Sequence, residues 1–295
     1  METENLGIKR RNNMEKPTIA IAYDFDMTLS PKNMHEFGFF DALSTSADEF
    51  WGDQNEFIEK HTADRMLANM YGMIVKAREK NIKLTKQSLR DFGSTIELFD
   101  GVENWFNRIN EFAEEQGVIV EHFVISSGIK EMIEGTNIAK YFKKIYACSF
   151  LYDEKGEAVW PALSINYTNK TQFLHRINRG RLSETDDSIN DVLTGEEKSV
   201  PFENIIYIGD SDTDIPSMRL VMKNGGKAIG VYKDNPVKKA HLIELLKNNK
   251  INYVAKADYT EGKVLDTIIK EIIRSNKINF NLKQISKQQK INIFD

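Results

Sequence analysis

Cysteine is nearly missing from this chain: Cys148 is the single one in 295 residues. One thiol can build neither an internal disulfide nor a zinc cluster, so a reducing, cytoplasmic setting is expected. Long apolar runs are missing as well. No stretch approaches the roughly 18 uninterrupted apolar residues of a membrane helix, and no membrane partner is expected. The opening METENLGIKRRNNMEKPT lacks an apolar h-region; residues 1–16 read as a disordered leader, not as a secretory signal. Charge of one sign is not in excess. Forty Lys and Arg against 44 Asp and Glu give a net charge of −4, with no global attraction to nucleic acid. No internal repeat is found, which excludes a solenoid.

What is present is core material. Hydrophobic residues make up 41% and charged residues 28%, enough apolar side chain to exclude general disorder. The length suggests about two domains. Thr18 to Tyr23 is a short β-branched apolar run, read as a buried strand that ends abruptly in Asp24-Phe25-Asp26-Met27-Thr28. Residues 31–99 are poor in glycine and helical in pattern. From Asp53 to Lys80, Phe57, Ile58, Met66, Leu67, Met70, Ile74 and Val75 recur mostly at three- and four-residue steps, which predicts one amphipathic helix. A shorter helix follows Thr85.

From residue 100 helix and strand alternate. Asp100 with Glu103 predicts a capping box, and Gly117 a helix stop. Val118 to Ile125 is a strand ending in Ser126-Ser127-Gly128, with a helix expected from there to about Phe142. Ile145–Leu151 and Ala158–Leu163 are expected to pair as a hairpin. Asn169 with Gln172 predicts a capping box that places Lys170 in a first helical turn. Residues 180–200 are polar and aperiodic and read as a flexible surface loop. Asn204–Ile208 is a strand feeding Gly209-Asp210, and Pro216 suits the next helix start. Lys227–Val231 and Asn252–Ala255 are further strands, and Thr260 to about Ile273 a helix. The state of the tail 276–295 stays open.

This alternation predicts an α/β fold: a Rossmann-like parallel sheet flanked by helices, formed by residues 17–30 and 100–275, with 31–99 inserted as a helical cap domain. Ligands of such sheets bind beyond the carboxyl ends of the strands. Three predicted strands end there in polar residues, at Asp24 and Asp26, at Ser126 and at Asp210.

In an extended segment Asp24 and Asp26 share a side while Phe25 points into the core. Two carboxylates so close resist double ionisation unless a cation joins them, and oxygen-only ligands suit magnesium. Asp210 is a further ligand candidate, and Asp214, one helical turn on, a candidate for a metal-bound water or the lysine. Four aspartates repel a phosphate monoester; Mg2+, Lys170 and a proton on Asp26 bring the site to neutrality. A lysine in a first helical turn faces the unfavourable end of the helix dipole, and a phosphoryl group would justify it.

Together these residues resemble the four motifs of the haloacid dehalogenase superfamily, specifically its phosphatase branch with a type 1 helical cap. Asp24, Asp26 and Thr28 match the first motif, Ser126 the second, Lys170 the third, and Gly209, Asp210 and Asp214 the fourth. The resemblance covers about residues 17–275. It implies a Mg2+-dependent phosphatase acting on a small phosphorylated metabolite through an aspartyl-phosphate on Asp24. Asp26 would be the acid and base, with its backbone carbonyl on the metal, and Thr28 would orient the aspartates. Ser126, Ser127, Gly128 and Lys170 would hold the phosphoryl group; Asp24, Asp26, Asp210 and Asp214 would form the metal site. Ser127 stands where phosphoserine-phosphatase-like members carry glycine. A phosphomutase and a catalytically idle phosphate sensor are the alternatives, as monomer or homodimer. Trp51, Phe57, Met66 and Met70 read as cap core, Arg65 and Arg78 as solvent-paired, and the lysine-rich tail as a solvated end.

Overall fold

The computed structural model describes residues 16–191, 199–210 and 212–294, with side chains to residue 291. The leader, apart from Lys16, and residues 192–198 of the polar loop lie outside the described residues.

One sheet organises the molecule. Its strands are β1 (Thr18–Tyr23), β2 (Ile119–Ile129), β3 (Phe142–Tyr152), β4 (Ala158–Leu163), β5 (Ile205–Gly209), β6 (Lys227–Tyr232) and β7 (Tyr253–Lys256). They lie in the order β4-β3-β2-β1-β5-β6-β7. Every neighbouring pair is parallel except β3 with β4, the expected hairpin. β1 and β5 are buried almost end to end, and strands covered on both faces read as the unbroken apolar runs seen in TIAIAY and IIYIG. The chain leaves β1 for β2 on one side and returns to β5 on the other, which makes β1 the switch point of the sheet. Tyr23 pairs with Val124 of β2 and Ile208 of β5, so the end of β1, the Ser126 stretch inside β2 and the end of β5 lie side by side at one edge. The strand expected to stop at Ile125 runs on to Ile129, with an irregularity of register between those two residues.

Between β1 and β2 the chain forms a 3-10 turn (Met34–Glu36) and the helices α1 (Phe39–Leu43), α2 (Ala47–His61), α3 (Arg65–Glu79) and α4 (Lys86–Gly93). The single helix expected over 53–80 is therefore two. α2 ends where Thr62 turns left-handed (φ 50°), and Asp64 caps α3 by accepting the N–H groups of Met66 and Leu67, both at 3.0 Å. The apolar steps continue across the break because both helices bury a stripe.

α5 (Val102–Glu115) starts without the expected capping box: its N-cap is Gly101, at φ 81°. A Cβ there would lie 2.4 Å from the Thr260 nitrogen, so the passing chain dictates glycine. The helix expected from Ser126 to Phe142 shrinks to α6 (Lys130–Glu134) and a 3-10 turn at Ala139–Tyr141. The Thr136 hydroxyl takes the Ile133 carbonyl just after α6 ends. α7 (Lys170–Arg179) begins where expected, but Asn169 does not cap it. Its side chain instead accepts the Asn166 N–H (2.8 Å) and donates to the Ser164 carbonyl (2.9 Å). α8 (Ile215–Lys223) carries Pro216 in its first turn.

α9 (Pro236–Lys247) was not expected, because its apolar residues lie all round the helix and mark no single face. α10 (Val264–Phe294) runs far past Ile273 and takes up the tail. The described part of the polar loop is not loose. Arg176 donates to the carbonyls of Ser183, Glu184 and Asp186, and Asp187–Asn190 form a 3-10 turn. Among the described residues, no helix is long and apolar enough to cross a membrane.

Under the sheet a polar chain threads the core. Trp105 Nε1 donates to the Tyr23 hydroxyl (2.8 Å), the hydroxyl meets His122 Nδ1 (3.0 Å), and His122 Nε2 meets Asn110 Oδ1 (3.0 Å). Such a chain satisfies an imidazole that is neutral.

Candidate active site

The site begins where β1 stops. The Asp24 N–H still donates to the Ile208 carbonyl of β5 (2.9 Å), which fixes Asp24 at the sheet edge. The chain then folds over itself: the Phe25 carbonyl accepts from Thr28, Leu29 and Ser30, and Met27 is left-handed at φ 59°. Phe25 is fully buried, as the alternation required. Asp24 Oδ1 accepts the Phe25 N–H at 2.8 Å. Asp26 is half-buried, and its Oδ1 accepts the Met34 N–H at 2.9 Å. Thr28 is buried with its hydroxyl unpartnered, so it holds neither aspartate through a hydrogen bond. Its carbonyl accepts from the Tyr259 hydroxyl.

Lys170 is the first residue of α7 and is only 1% exposed. Its ammonium lies 3.1 Å from Asp24 Oδ1 and 2.8 Å from Asp214 Oδ1. The Tyr207 hydroxyl donates to the same Asp214 oxygen at 2.8 Å. Asp214 thus orients the lysine, one of the two tasks the sequence left open for it. Gly209 makes room: a Cβ there would sit 2.4 Å from Asp214 Oδ2. Asp210, at the end of β5, pairs with Lys238 of α9 at 2.7 Å.

Burial and crowding set the protonation of this cluster. Burial, then the Asp214 charge, pushes the Asp24 carboxyl well above the usual carboxylate range, against the pull of Lys170. Burial raises Asp26 to about 7. Burial and Asp214 raise Asp210. Burial disfavours the Lys170 charge, yet the Asp214 and Asp24 carboxylates overcome it and hold the ammonium pKa well above its ordinary value.

Oxygens of Asp24, Asp210 and Asp214 lie within 4.8 Å of one another. Three hard oxygen donors closing on one point, in burial that penalises their mutual repulsion, fit a divalent cation of the magnesium kind. The Asp26 carboxylate is not part of this trio.

A cavity of about 710 Å3 opens over the cluster. Asp24, Asp26, Ser126, Ser127, Lys170 and Asp210 line its floor, while Asp64, Arg65 and Met66 at the start of α3 and Asn166 to Thr168 form its walls. The structure therefore brings the expected residues together from distant parts of the chain. Thr28 and Gly128 are the exceptions, since neither lines the cavity; Gly128 packs against Met34 and turns its N–H to Ser126 Oγ (3.0 Å). Arg65 lies at the cavity wall and donates to Asn55 Oδ1 at 2.6 Å. Met66 also faces the cavity. His35 is buried among the rings of Phe39, Phe40 and Trp51.

Two members escaped the sequence reading. Tyr207 carried a signal, since a tyrosine in a buried strand needs a partner for its hydroxyl. Lys238 lies on the unexpected α9, whose Asn235-Pro236 start is a helix-opening pair.

No protein-family model matches the chain. An uncharacterized protein of Borreliella burgdorferi is 28% identical over 288 residues, covering 88% of this chain and 98% of its own length. Among solved structures, a phospho-aspartyl intermediate analogue of phosphoserine phosphatase superposes with a TM-score of 0.53 at 15% identity, over 87% of this chain and 99% of that one. A HAD-family hydrolase of Salmonella enterica serovar Typhi gives 0.52 at 18% identity, over 86% of this chain and 70% of that one. The chain has the fold of these hydrolases, a mostly parallel sheet with helical insertions.

Proposed function

We propose that this protein is a Mg2+-dependent phosphomonoester hydrolase that acts on a small phosphorylated metabolite through an aspartyl-phosphate. The supporting observation is the meeting of Asp24, Lys170 and the acidic trio at one sheet edge, with Asp26 beside them in the same cavity. Solved structures of the same fold include phosphoserine phosphatase, which accords with this chemistry.

Asp24 is the nucleophile. Its Oδ1 is held by the Phe25 N–H and by Lys170, which fixes the plane of the carboxylate before substrate arrives. Kept ionised, against the burial that raises it, by Lys170 and by the cation the trio would bind, Asp24 attacks phosphorus through a carboxylate oxygen, the ester P–O bond breaks, and the leaving oxygen takes the proton of Asp26. Asp26, raised to about 7, holds that proton near neutral pH. Now ionised, Asp26 takes a proton from water as the water oxygen attacks phosphorus. The bond to Asp24 breaks, inorganic phosphate leaves, and Asp26 is protonated again. Lys170 and Ser126 meet the phosphoryl oxygens, and Lys170 needs no rearrangement because Asp214 already aims it. Asp24, Asp210 and Asp214 would hold Mg2+, with the Asp26 carbonyl in support; bound there, it would neutralise phosphoryl charge. The start of α3 lines the cavity wall and would contact the leaving group, as a cap would.

The test is phosphate release from a panel of phosphomonoesters, with Mg2+ and with chelator. Release that needs Mg2+ and disappears in Asp24→Asn is expected. No release from any ester, or undiminished release by Asp24→Asn, overturns the proposal; an isomerised product without free phosphate would assign a phosphomutase.

A further inference from the structure

The first turn of a helix is an unfavourable place for a lysine, because the N-terminal end carries partial positive charge. Lys238 stands in the first turn of α9, which holds no acidic residue to offset it. Asn235 caps the helix by accepting the N–H groups of Val237 (3.0 Å) and Lys238 (3.2 Å), so the backbone of Lys238 is held and only its side chain can move. That side chain lines the cavity and reaches Asp210 Oδ2 at 2.7 Å. One turn further on, His241 Nε2 lies 2.7 Å from Asp212 Oδ1. α9 thus grips the chain that leaves β5 at two points, and Lys238 is the one that touches the acidic trio.

Charge shows what this contact does. When ionised, Asp24, Asp210 and Asp214 carry three negative charges, of which the sealed Lys170 offsets one. Two remain, the charge that a single divalent cation cancels. Lys238 offsets one of these two. Burial and Asp214 raise the Asp210 carboxyl, and the hydrogen bond from Lys238 pulls it back toward the ionised form that a metal needs. A divalent cation entering the trio with Lys238 in place would face an ammonium across one buried carboxylate, where like charges repel strongly. Lys170 is 1% exposed and has nowhere to go, whereas Lys238 is 39% exposed and is solvated once it lets go.

Resting on the reading of the trio as a Mg2+ site, we infer that Lys238 is a built-in substitute for half of that ion's charge. It stabilises the trio when no divalent cation is bound, weakens the trio's hold on one, and leaves Asp210 when one binds.

Calorimetric titration of Mg2+ into the full chain reads the affinity without turnover. Lys238→Met should bind Mg2+ about tenfold more tightly than the parent, between the small worth of an exposed ion pair and the large worth of a buried one. Lys238→Arg keeps the charge and should bind Mg2+ no more tightly than the parent. Melting temperatures separate this role from mere packing of α9. In chelator, Lys238→Met should melt below the parent, because the carboxylates have lost a counter-charge; at saturating Mg2+ the gap should close. Equal Mg2+ affinity in parent and Lys238→Met overturns the inference and leaves the Mg2+ reading intact, and so does a melting gap of one size with and without Mg2+. Failure of both chains to bind Mg2+ overturns the Mg2+ reading and this inference together.

Discussion

Replacing Lys170 by methionine isolates the electrostatics on which the site rests. The two side chains are similar in volume, so packing is nearly preserved and the ammonium alone is lost. That ammonium is 1% exposed and lies 3.1 Å from Asp24 and 2.8 Å from Asp214. Removing one member of a buried ion pair strands its partner and costs about 3–5 kcal/mol. For a chain of this size each kcal/mol lowers the melting temperature by about 2–4 °C, so a loss of about 10 °C is expected at pH 8.

The sign of the pH dependence is the decisive part. The penalty in the variant comes from ionised carboxylates without a counter-ion. Asp24 is already held well above its ordinary value by burial and Asp214, and losing Lys170 raises it further. A carboxyl with a raised folded pKa contributes stability that is fully present below its unfolded value and lost as pH rises through the folded one. Lys170 itself, raised in the parent, stays charged across this range. The gap between parent and variant should therefore be wide at pH 8 and narrow at pH 5.5, by scanning calorimetry. Added Mg2+ should raise the variant's melting temperature more than the parent's, because the trio has lost a competing cation. An equal gap at both pH values, with no added effect of Mg2+, would refute the electrostatic account and leave only a packing defect.

Burial lowers His122 to about 3 and His35 to about 4, so both fold as neutral imidazoles. Their stabilising contribution is full above pH 6.5 and falls below it by about 1.4 kcal/mol per pH unit for each histidine; urea midpoints between pH 6.5 and 4.5 should show the slope, and His122→Gln should remove about half. Asp26→Ala should slow alkyl phosphates by about 10²–10⁴-fold and aryl phosphates far less, because good leaving groups need no proton. In the parent, single-turnover cleavage of alkyl esters should decline as pH rises through about 7, where Asp26 loses that proton; equal losses for both ester classes would remove the acid role. Gly209→Ala forces a Cβ to within 2.4 Å of Asp214 Oδ2 and should cost about 1–3 kcal/mol in denaturant midpoint, with weakened turnover.

The sheet half of the fold was legible because buried parallel strands write themselves as apolar runs, and the edge where the candidate site lies writes itself as the polar residue that ends a run. Tyr23 to Asp24 and Gly209 to Asp210 are such endings, and the sheet brings them side by side. What failed to read was local or had no single face. The paired residues Asp100 with Glu103 and Asn169 with Gln172 have the composition of capping boxes. Gly101 took over the first helix start because the 259–260 strand-exit backbone passes too close for a side chain. The second was diverted by a better local partner, since Asn169 satisfies Asn166 and Ser164. The break between α2 and α3 hid because apolar periodicity survives a three-residue turn, although Asp64 before Arg65 is an N-cap signal. α9 hid for the opposite reason, having apolar residues on every side.

That last omission matters for the chemistry, because α9 carries the second cation of the site. Asp24, Asp26, Asp210 and Asp214 oppose Lys170 and Lys238, which leaves two negative charges in excess, and one when Asp26 holds its proton. The two lysines are not equivalent. Lys170 is sealed, with Asp214 and Tyr207 fixing it from behind, so it can serve a reacting group at no reorganisation cost. Lys238 is 39% exposed, and its side chain has water to retreat into. A divalent cation drawn to Asp210 competes with a lysine that can leave, and a phosphoryl group drawn to Lys170 meets one that cannot. On the proposed chemistry the same cavity would take up charge of both signs in turn, which a site built from two sealed lysines could not do.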